Sequence, residues 1–291
     1  MRHRPFLQVD VFTAQPYQGN PLAVVLDGEG LTAEAMQQFT NWTNLSEATF
    51  VLPPTPEGRA AGADYRVRIF SPGRELPFAG HPTLGSCHAW LQSGGQPRTA
   101  GRVVQECGVG LVALRQDGDR LAFAAPPLIR SGPLGEADVA RIAQGLGVPR
   151  SDILHHAWCD NGPHWRGVML RSAAQVLALK PDGAVLAGLD VGVAGPRGKV
   201  GVVGNSDEDG IAFEVRAFFP GGNGLAEDPV TGSLNAALAQ WLIGAGLAPT
   251  RYVASQGTAL GRAGRVHVEQ EGSDIWVGGH TVTCISGTVR L

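Results

Sequence analysis

The sequence predicts a mixed α/β protein made of two similar halves, each a curved mixed sheet around one long helix. Three observations carry this. His81-Pro82-Thr83-Leu84-Gly85-Ser86 returns as Asp228-Pro229-Val230-Thr231-Gly232-Ser233, a shift of 147 residues in a chain of 291. Each copy follows an extended stretch, ending in Phe-Ser-Pro (70–72) or Phe-Phe-Pro (218–220), and each runs into apolar residues at helical spacing. These are Leu84, Cys87, His88 and Leu91 in one half, and Leu234, Leu238, Trp241 and Leu242 in the other. Finally, strand-like segments outnumber helix-like ones while each half keeps one long helix, a count that a sheet curved about a helix accommodates.

Taken in order, residues 7–12 alternate as a strand, Gln18-Gly19-Asn20-Pro21 turns the chain, and Leu22–Leu26 reads as a buried strand. Thr32 caps a helix over 33–42, with Ala35, Met36, Phe39 and Trp42 on its inner face. Glu47 precedes a strand over 48–53, and Tyr65, Val67 and Ile69 alternate with Arg66 and Arg68 as in a half-exposed strand. The first motif helix covers 82–92, with His81 in the cap position and Pro82 at the first helical residue, where its missing N–H costs nothing. Strands near 102–107, 111–116 and 120–124 finish this half. Pro126-Pro127 reads as the linker, giving domains 1–125 and 126–291.

The second half starts with a helix over 135–146 and a strand to Cys159. Asn161-Gly162-Pro163 then echoes Gly19-Asn20-Pro21, and a strand follows over 165–171. Short helices fit 172–178 and 182–188, and Lys199–Val203 with Ile211–Phe218 form a hairpin around the acidic turn Asn205–Gly210. The second motif helix covers 229–244, with Asp228 in the cap position. Strands near 251–256, 264–270, 274–278 and 281–291 close the chain, and the sequence leaves open whether the last one returns to the first domain.

Composition narrows the class without naming a reaction. Hydrophobic content of 43% with 17% charged residues is that of an ordinary globular protein, and a net charge of −3 gives no reason to expect nucleic acid or an anionic membrane as partner. No apolar run approaches the roughly 18 residues of a membrane span. The chain enters its first strand within a few residues of Met1, leaving no room for a signal peptide, and four cysteines without C-x-x-C spacing suggest reduced thiols. The expectation is a cytoplasmic protein.

The chemistry follows partly by elimination. His155-His156 on a strand point to opposite faces, H-E-x-x-H and paired C-x-x-C are absent, and no metal site is expected. Pro220-Gly221-Gly222-Asn223-Gly224 lacks the strand and helix of a dinucleotide motif and reads as a loop, so no cofactor is expected. Ser233 has no G-x-S-x-G elbow, and Cys87 lies within a helix as a core residue. What remains is acid–base chemistry by His81, Asp228 and Glu47. Their bland reading is that His81 and Asp228 cap helices and Glu47 is a solvated acid. Two helix N-termini facing one another would favour an anion such as a carboxylate.

The chain resembles the phenazine-biosynthesis PhzF-like isomerase family, which has the diaminopimelate epimerase fold. The resemblance spans essentially the whole sequence. It rests on Asp10-Val11-Phe12-Thr13 with Gly19-Asn20-Pro21, on Asn44–Phe50, on Glu75–Gly85, on Glu227–Ser233, and on Gln256-Gly257 with Gly261-Arg262. It implies that Glu47 is the proton-shuttling acid/base, that His81 and Asp228 orient the substrate and share its protons, and that Ser233 with Gly80 and Gly232 holds it. It further implies a small carboxylate substrate in a cleft between the domains, trans-2,3-dihydro-3-hydroxyanthranilate being the family's best-known one, and a homodimer. Leu234 departs from the Ala of many relatives, with a reshaped pocket as one expected consequence. Relatives that racemise with two thiols would need cysteines where this chain has Ala79-Gly80-His81 and Asp228-Pro229. The second reading is a non-catalytic binder of small carboxylates on the same fold.

Overall fold

Strand pairing in this chain alternates between antiparallel hairpins and parallel steps, and each parallel step requires a crossover long enough to hold a helix. The computed structural model describes residues 1–187, 199–208, 210–221 and 224–291. They form two compact units, Met1–Ala124 together with Gly278–Leu291, and Ala125–Val277.

The first unit contains β1 (His3–Val11), β2 (Asn20–Val25), α1 (Ala33–Thr43), β3 (Ala48–Leu52), α2 (Pro56–Ala60), β4 (Tyr65–Ser71), β5 (Arg74–Leu76), α3 (Gly80–Gln92), β6 (Arg102–Cys107), β7 (Gly110–Asp117) and β8 (Arg120–Ala124). β1 and β2 are antiparallel, β2 and β3 parallel, β3 and β4 antiparallel, β4 and β6 parallel, and β6 and β7 antiparallel. α1 fills the first crossover and α3 the second. α3 is buried from Gly80 through Cys87 and again at Ala89, as a helix enclosed by its own sheet must be. At Gly85 an added Cβ would lie 2.6 Å from Leu22 Cδ2, so the missing side chain lets the helix rest directly on β2. Its buried polar residues are paired: Gln105 Nε2 donates to Thr83 Oγ1 at 3.0 Å, Tyr65 donates to Gln105 Oε1 at 2.8 Å, and Ser86 donates to Thr49 Oγ1 at 2.9 Å.

The second unit contains α4 (Glu136–Leu146), β9 (His155–Cys159), β10 (Trp165–Leu170), α5 (Ala173–Ala178), α6 (Gly183–Leu186), β11 (Val200–Asn205), β12 (Phe213–Gly221), β13 (Gly224–Glu227), α7 (Gly232–Gly244), β14 (Arg251–Gln256), β15 (Gly264–Glu271) and β16 (Asp274–Gly279) up to Val277. From β9 to β15 the pairings repeat the order of the first unit: antiparallel, parallel, antiparallel, parallel, antiparallel. α5 occupies the place of α1, and α7 the place of α3. α4 precedes this repeat and packs Val139, Ile142 and Leu146 into a core with Val168, Leu170, Val200 and Val202. The last strand, β17 (Thr281–Arg290), runs antiparallel to β1, from Arg290 opposite His3 to Thr281 opposite Val11. Among the described residues no helix is long and apolar enough to cross a membrane.

Several local expectations change. α3 begins at Gly80 with Ala79 as N-cap, so His81 is a first-turn residue and not the cap; Pro82 is tolerated because first-turn N–H groups have no helical partner. α7 begins at Gly232 with Thr231 as N-cap, which leaves Asp228 and Pro229 in the turn before it. Both helices have 13 residues and a glycine at their first position. The two halves therefore correspond through Gly80-His81 and Gly232-Ser233, a shift of 152 residues, and not through the 147-residue motif shift. In α1 the inner face is Met36, Phe39 and Thr40, while Trp42 is 76% exposed. At about 100° per residue Trp42 falls roughly 120° from Met36, and Thr40 goes inside because its hydroxyl donates to Met36 O at 2.8 Å. Leu234 is wholly buried, and its Cδ1 occupies the space that a side chain at Gly201 of β11 would need. It fills the core rather than a pocket. Residue 188 of the expected 182–188 helix, residue 209 of the acidic turn, and residues 222 and 223 of the glycine-rich loop lie outside the described residues.

Candidate functional site

Each unit places a set of polar side chains at the N-terminus of its enclosed helix. In the first unit, Asn44 closes α1 in the left-handed conformation (φ 57°), and the chain then turns through Leu45 and Ser46 to Glu47, just ahead of β3. Glu47 Oε2 lies 3.5 Å from His81 Nε2, with the two side chains 18% and 5% exposed. The other face of the imidazole meets Asn20, whose Nδ2 is 3.4 Å from His81 Nδ1. Burial pushes His81 down to about 3, with a hydrogen bond to the Pro21 backbone acting in the opposite direction. The ring is therefore neutral at neutral pH, with one nitrogen protonated and the other a lone pair. A proton on Nδ1 aims the Nε2 lone pair at Glu47. A proton on Nε2 offers Glu47 a donor. The pair thus suits either state of the carboxyl group.

In the second unit, Asp228 follows β13 and Thr231 caps α7 in position but not in bonding. Thr231 Oγ1 donates to Asp228 Oδ2 at 2.7 Å instead of accepting from the first-turn amides. Gln256, at the end of β14 and wholly buried, explains this choice. Its Nε2 donates to Asp228 O at 3.1 Å and to Thr231 Oγ1 at 3.0 Å, while its Oε1 accepts from Thr231 N at 3.0 Å and Asn235 Nδ2 at 2.8 Å. Two donors and two acceptors are all that a primary amide has, so Gln256 is fully used. Gln256 Nε2 can only donate to the Thr231 hydroxyl and the Asp228 oxygen accepts from it, so the hydroxyl points its hydrogen at Asp228. Gly257 follows at φ 94°, with Pro229 O where a side chain would stand, so β14 ends hard against the Asp228-Pro229 turn. Gly232 is the first residue of α7 and Ser233 the second; Trp165 Nε1 donates to Ser233 Oγ at 3.2 Å and Asn161 Nδ2 to Ser233 O at 2.9 Å.

The structure thus brings Glu47, His81 and Gly80 together in one unit, and Asp228, Gly232 and Ser233 in the other. Asn20, Asn161, Trp165 and Gln256 have no role assigned from the sequence, and the Thr231 amide, expected among those that hold an anion, donates to Gln256 Oε1 instead. The signal for two of them was the echo of Gly19-Asn20-Pro21 in Asn161-Gly162-Pro163: each asparagine reaches the second residue of the enclosed helix of its own unit, His81 or Ser233. Cys87 lies fully inside α3, where burial pushes its thiol up to about 12, so it supplies no thiolate. His156 Nδ1 accepts from Leu134 N at 3.1 Å and serves the fold. Among the described residues no three metal-ligating side chains are gathered.

Known proteins align along nearly the full chain. The family model of phenazine biosynthesis-like proteins (PhzC-PhzF) matches residues 9–287. A Schizosaccharomyces pombe protein, antisense-enhancing sequence 1, is 36% identical over 99% of both chains. The trans-2,3-dihydro-3-hydroxyanthranilate isomerase of Pseudomonas aeruginosa is 34% identical over 93% of this chain and 91% of that protein. A crystal structure of an Enterococcus faecalis phenazine biosynthesis protein of the PhzF family superposes with a TM-score of 0.80 at 25% identity, covering 100% of both chains. The chain belongs to the phenazine biosynthesis-like protein family and is an isomerase of the PhzF type.

Proposed function

We propose that this isomerase moves a proton between two carbons of a small carboxylate substrate without a cofactor, and that Glu47 carries the proton. The observation behind this reading is the Glu47–His81 pair, a carboxyl group 3.5 Å from a buried imidazole that is neutral and can face it as donor or acceptor. In the forward step the Glu47 carboxylate takes a proton from carbon, and the C–H electron pair moves into a new double bond as the old one shifts. Glu47, now a carboxylic acid, returns the proton to the carbon at the far end of the shifted system. Atoms and electrons balance within the substrate, so no oxidant or reductant is required. His81 follows the change by exchanging the roles of its nitrogens.

In this reading the substrate lies between the two half-sites. Asp228, held by Thr231 and Gln256, takes a hydrogen bond from the substrate and shares its protons. Gly80, Gly232 and Ser233 hold its carboxylate at the helix N-termini, where unpaired amides and the helix dipole favour an anion. Cyclic or unsaturated amino and hydroxy acids fit this description, and the reaction named for the Pseudomonas aeruginosa relative, on trans-2,3-dihydro-3-hydroxyanthranilate, is the first candidate.

The test is incubation of that compound and a panel of related acids in D₂O. Deuterium should enter a carbon position with the native protein. Glu47→Gln should bind the same compound and lose the exchange by roughly 10²–10⁴-fold or more, since a positioned acid/base contributes on that order. Exchange at the native rate in Glu47→Gln removes Glu47 from the role. Tight binding with no exchange for any compound favours a carboxylate binder.

A further inference from the structure

A serine hydroxyl has one hydrogen to give and two lone pairs to offer, and its neighbours decide which it shows to a ligand. At Ser233 the neighbour is Trp165, whose indole N–H donates to Oγ at 3.2 Å. An indole nitrogen only donates. The Ser233 oxygen is therefore the acceptor toward the protein, and its hydrogen is left to donate outward. The same turn also fixes the Ser233 main chain. Asn161 Nδ2 donates to Ser233 O at 2.9 Å, and because a carbonyl only accepts, that contact sets the orientation of the Asn161 amide.

The turn is rigid for identifiable reasons. Asp160 Oδ1 accepts from the Gly162 and His164 amides at 2.9 Å each, and its Oδ2 meets His164 Nδ1 at 2.8 Å. Asp160 and Trp165 are each 3% exposed, so neither can turn to suit a ligand. Thr231 does not compete, because its hydroxyl is engaged by Asp228 and Gln256.

We propose that Trp165, supported by Asn161, is a positioning residue that turns the Ser233 hydrogen outward as a donor, so that this position favours a carboxylate over an uncharged group bearing N–H. This rests on the proposed function in one respect, that Ser233 touches the substrate. A carboxylate only accepts and meets the Ser233 hydrogen directly. A carboxamide has a single oxygen to receive that hydrogen, and an N–H turned toward Ser233 finds only the one lone pair that Trp165 leaves.

The experiment uses the full chain with anthranilate as carboxylate probe and 2-aminobenzamide as its uncharged counterpart, both titrated calorimetrically. Trp165 is changed in two ways: Trp165→Phe, and replacement by 3-(3-benzothienyl)alanine, which keeps the ring shape but lacks the N–H. The native protein should prefer anthranilate. Both replacements should weaken anthranilate roughly three- to tenfold, as expected for loss of one hydrogen bond's anchoring, and leave 2-aminobenzamide unchanged. Ser233→Ala should cost less in the replaced proteins than in the native one, and in turnover the replacements should raise KM and spare kcat. If the benzothienyl protein binds anthranilate as tightly as the native one while Ser233→Ala weakens it, the role of Trp165 is overturned and the isomerase reading stands. If Ser233→Ala itself changes nothing, the carboxylate contact fails, and that part of the proposed function fails with it. Equal native binding of both probes overturns the selection.

Discussion

Gln256→Leu removes the four-way clamp under the α7 N-terminus while keeping a side chain of similar size. Four hydrogen bonds of 2.8–3.1 Å are lost together. Their partners do not suffer equally. Asn235 Nδ2 keeps its bond to Thr231 O at 2.9 Å, and the Thr231 hydroxyl keeps Asp228. The Thr231 amide is left in a buried place without its acceptor, and a stranded buried donor costs about 1–3 kcal/mol. With about 1 kcal/mol for each of the two bonds that Gln256 donates, the total is roughly 3–5 kcal/mol, part of it offset by the better burial of leucine. Urea unfolding followed by tryptophan fluorescence should show this loss, with an unchanged m-value. Thr231→Val should be non-additive with Gln256→Leu by at least about 1 kcal/mol, since the two share bonds. A Gln256→Leu loss under about 1 kcal/mol, or strict additivity with Thr231→Val, would refute the clamp.

His81 gives a pH dependence whose sign can be worked out. Burial holds its folded value at about 3, below the unfolded 6.5, so between those values the unfolded chain binds more protons. The stability is fully present above pH 6.5 and is lost as pH falls toward 3, a difference on the order of 3–5 kcal/mol. Removing the titrating group with His81→Gln should flatten this limb of the curve, and an unaltered acid limb would contradict it. At Gly201, a methyl group would stand 2.4 Å from Leu234 Cδ1, so Gly201→Ala should cost about 1–3 kcal/mol by overpacking. Leu234→Ala alone should cost about 2–5 kcal/mol, and the double variant should cost clearly less than the sum in thermal unfolding; additive losses would refute the contact.

Periodicity and turn chemistry were enough to locate most elements of this protein. The alternation in Tyr65–Ile69, the Thr32 cap and the apolar spacing after each motif are local signals, and a strand or helix that buries one face writes that face into its own sequence. The family motifs likewise named Glu47, His81, Asp228, Gly80, Gly232 and Ser233 as candidates, because each sits within a short run of distinctive residues. At Trp42 residue type suggests burial, whereas the direction of α1 against β3 and β4 leaves it exposed and puts Thr40 inside.

Helix starts and polar wiring were decided only by the tertiary structure. The repeated P-x-x-G-S pattern set the two halves in register at 147 residues, but α3 begins ahead of its copy and α7 near the end of its own. What fixes α7 at Gly232 is Gln256, 24 residues downstream, which holds Thr231 and through it Asp228. In the same way Trp165 and Asn161 reach Ser233 from 68 and 72 residues away, and Glu47 meets His81 from 34 residues away. A sequence records what each residue needs along its own element. Hydrogen bonds between residues far apart in the chain leave no periodic trace, because their geometry exists only once the sheet has curved around its helix.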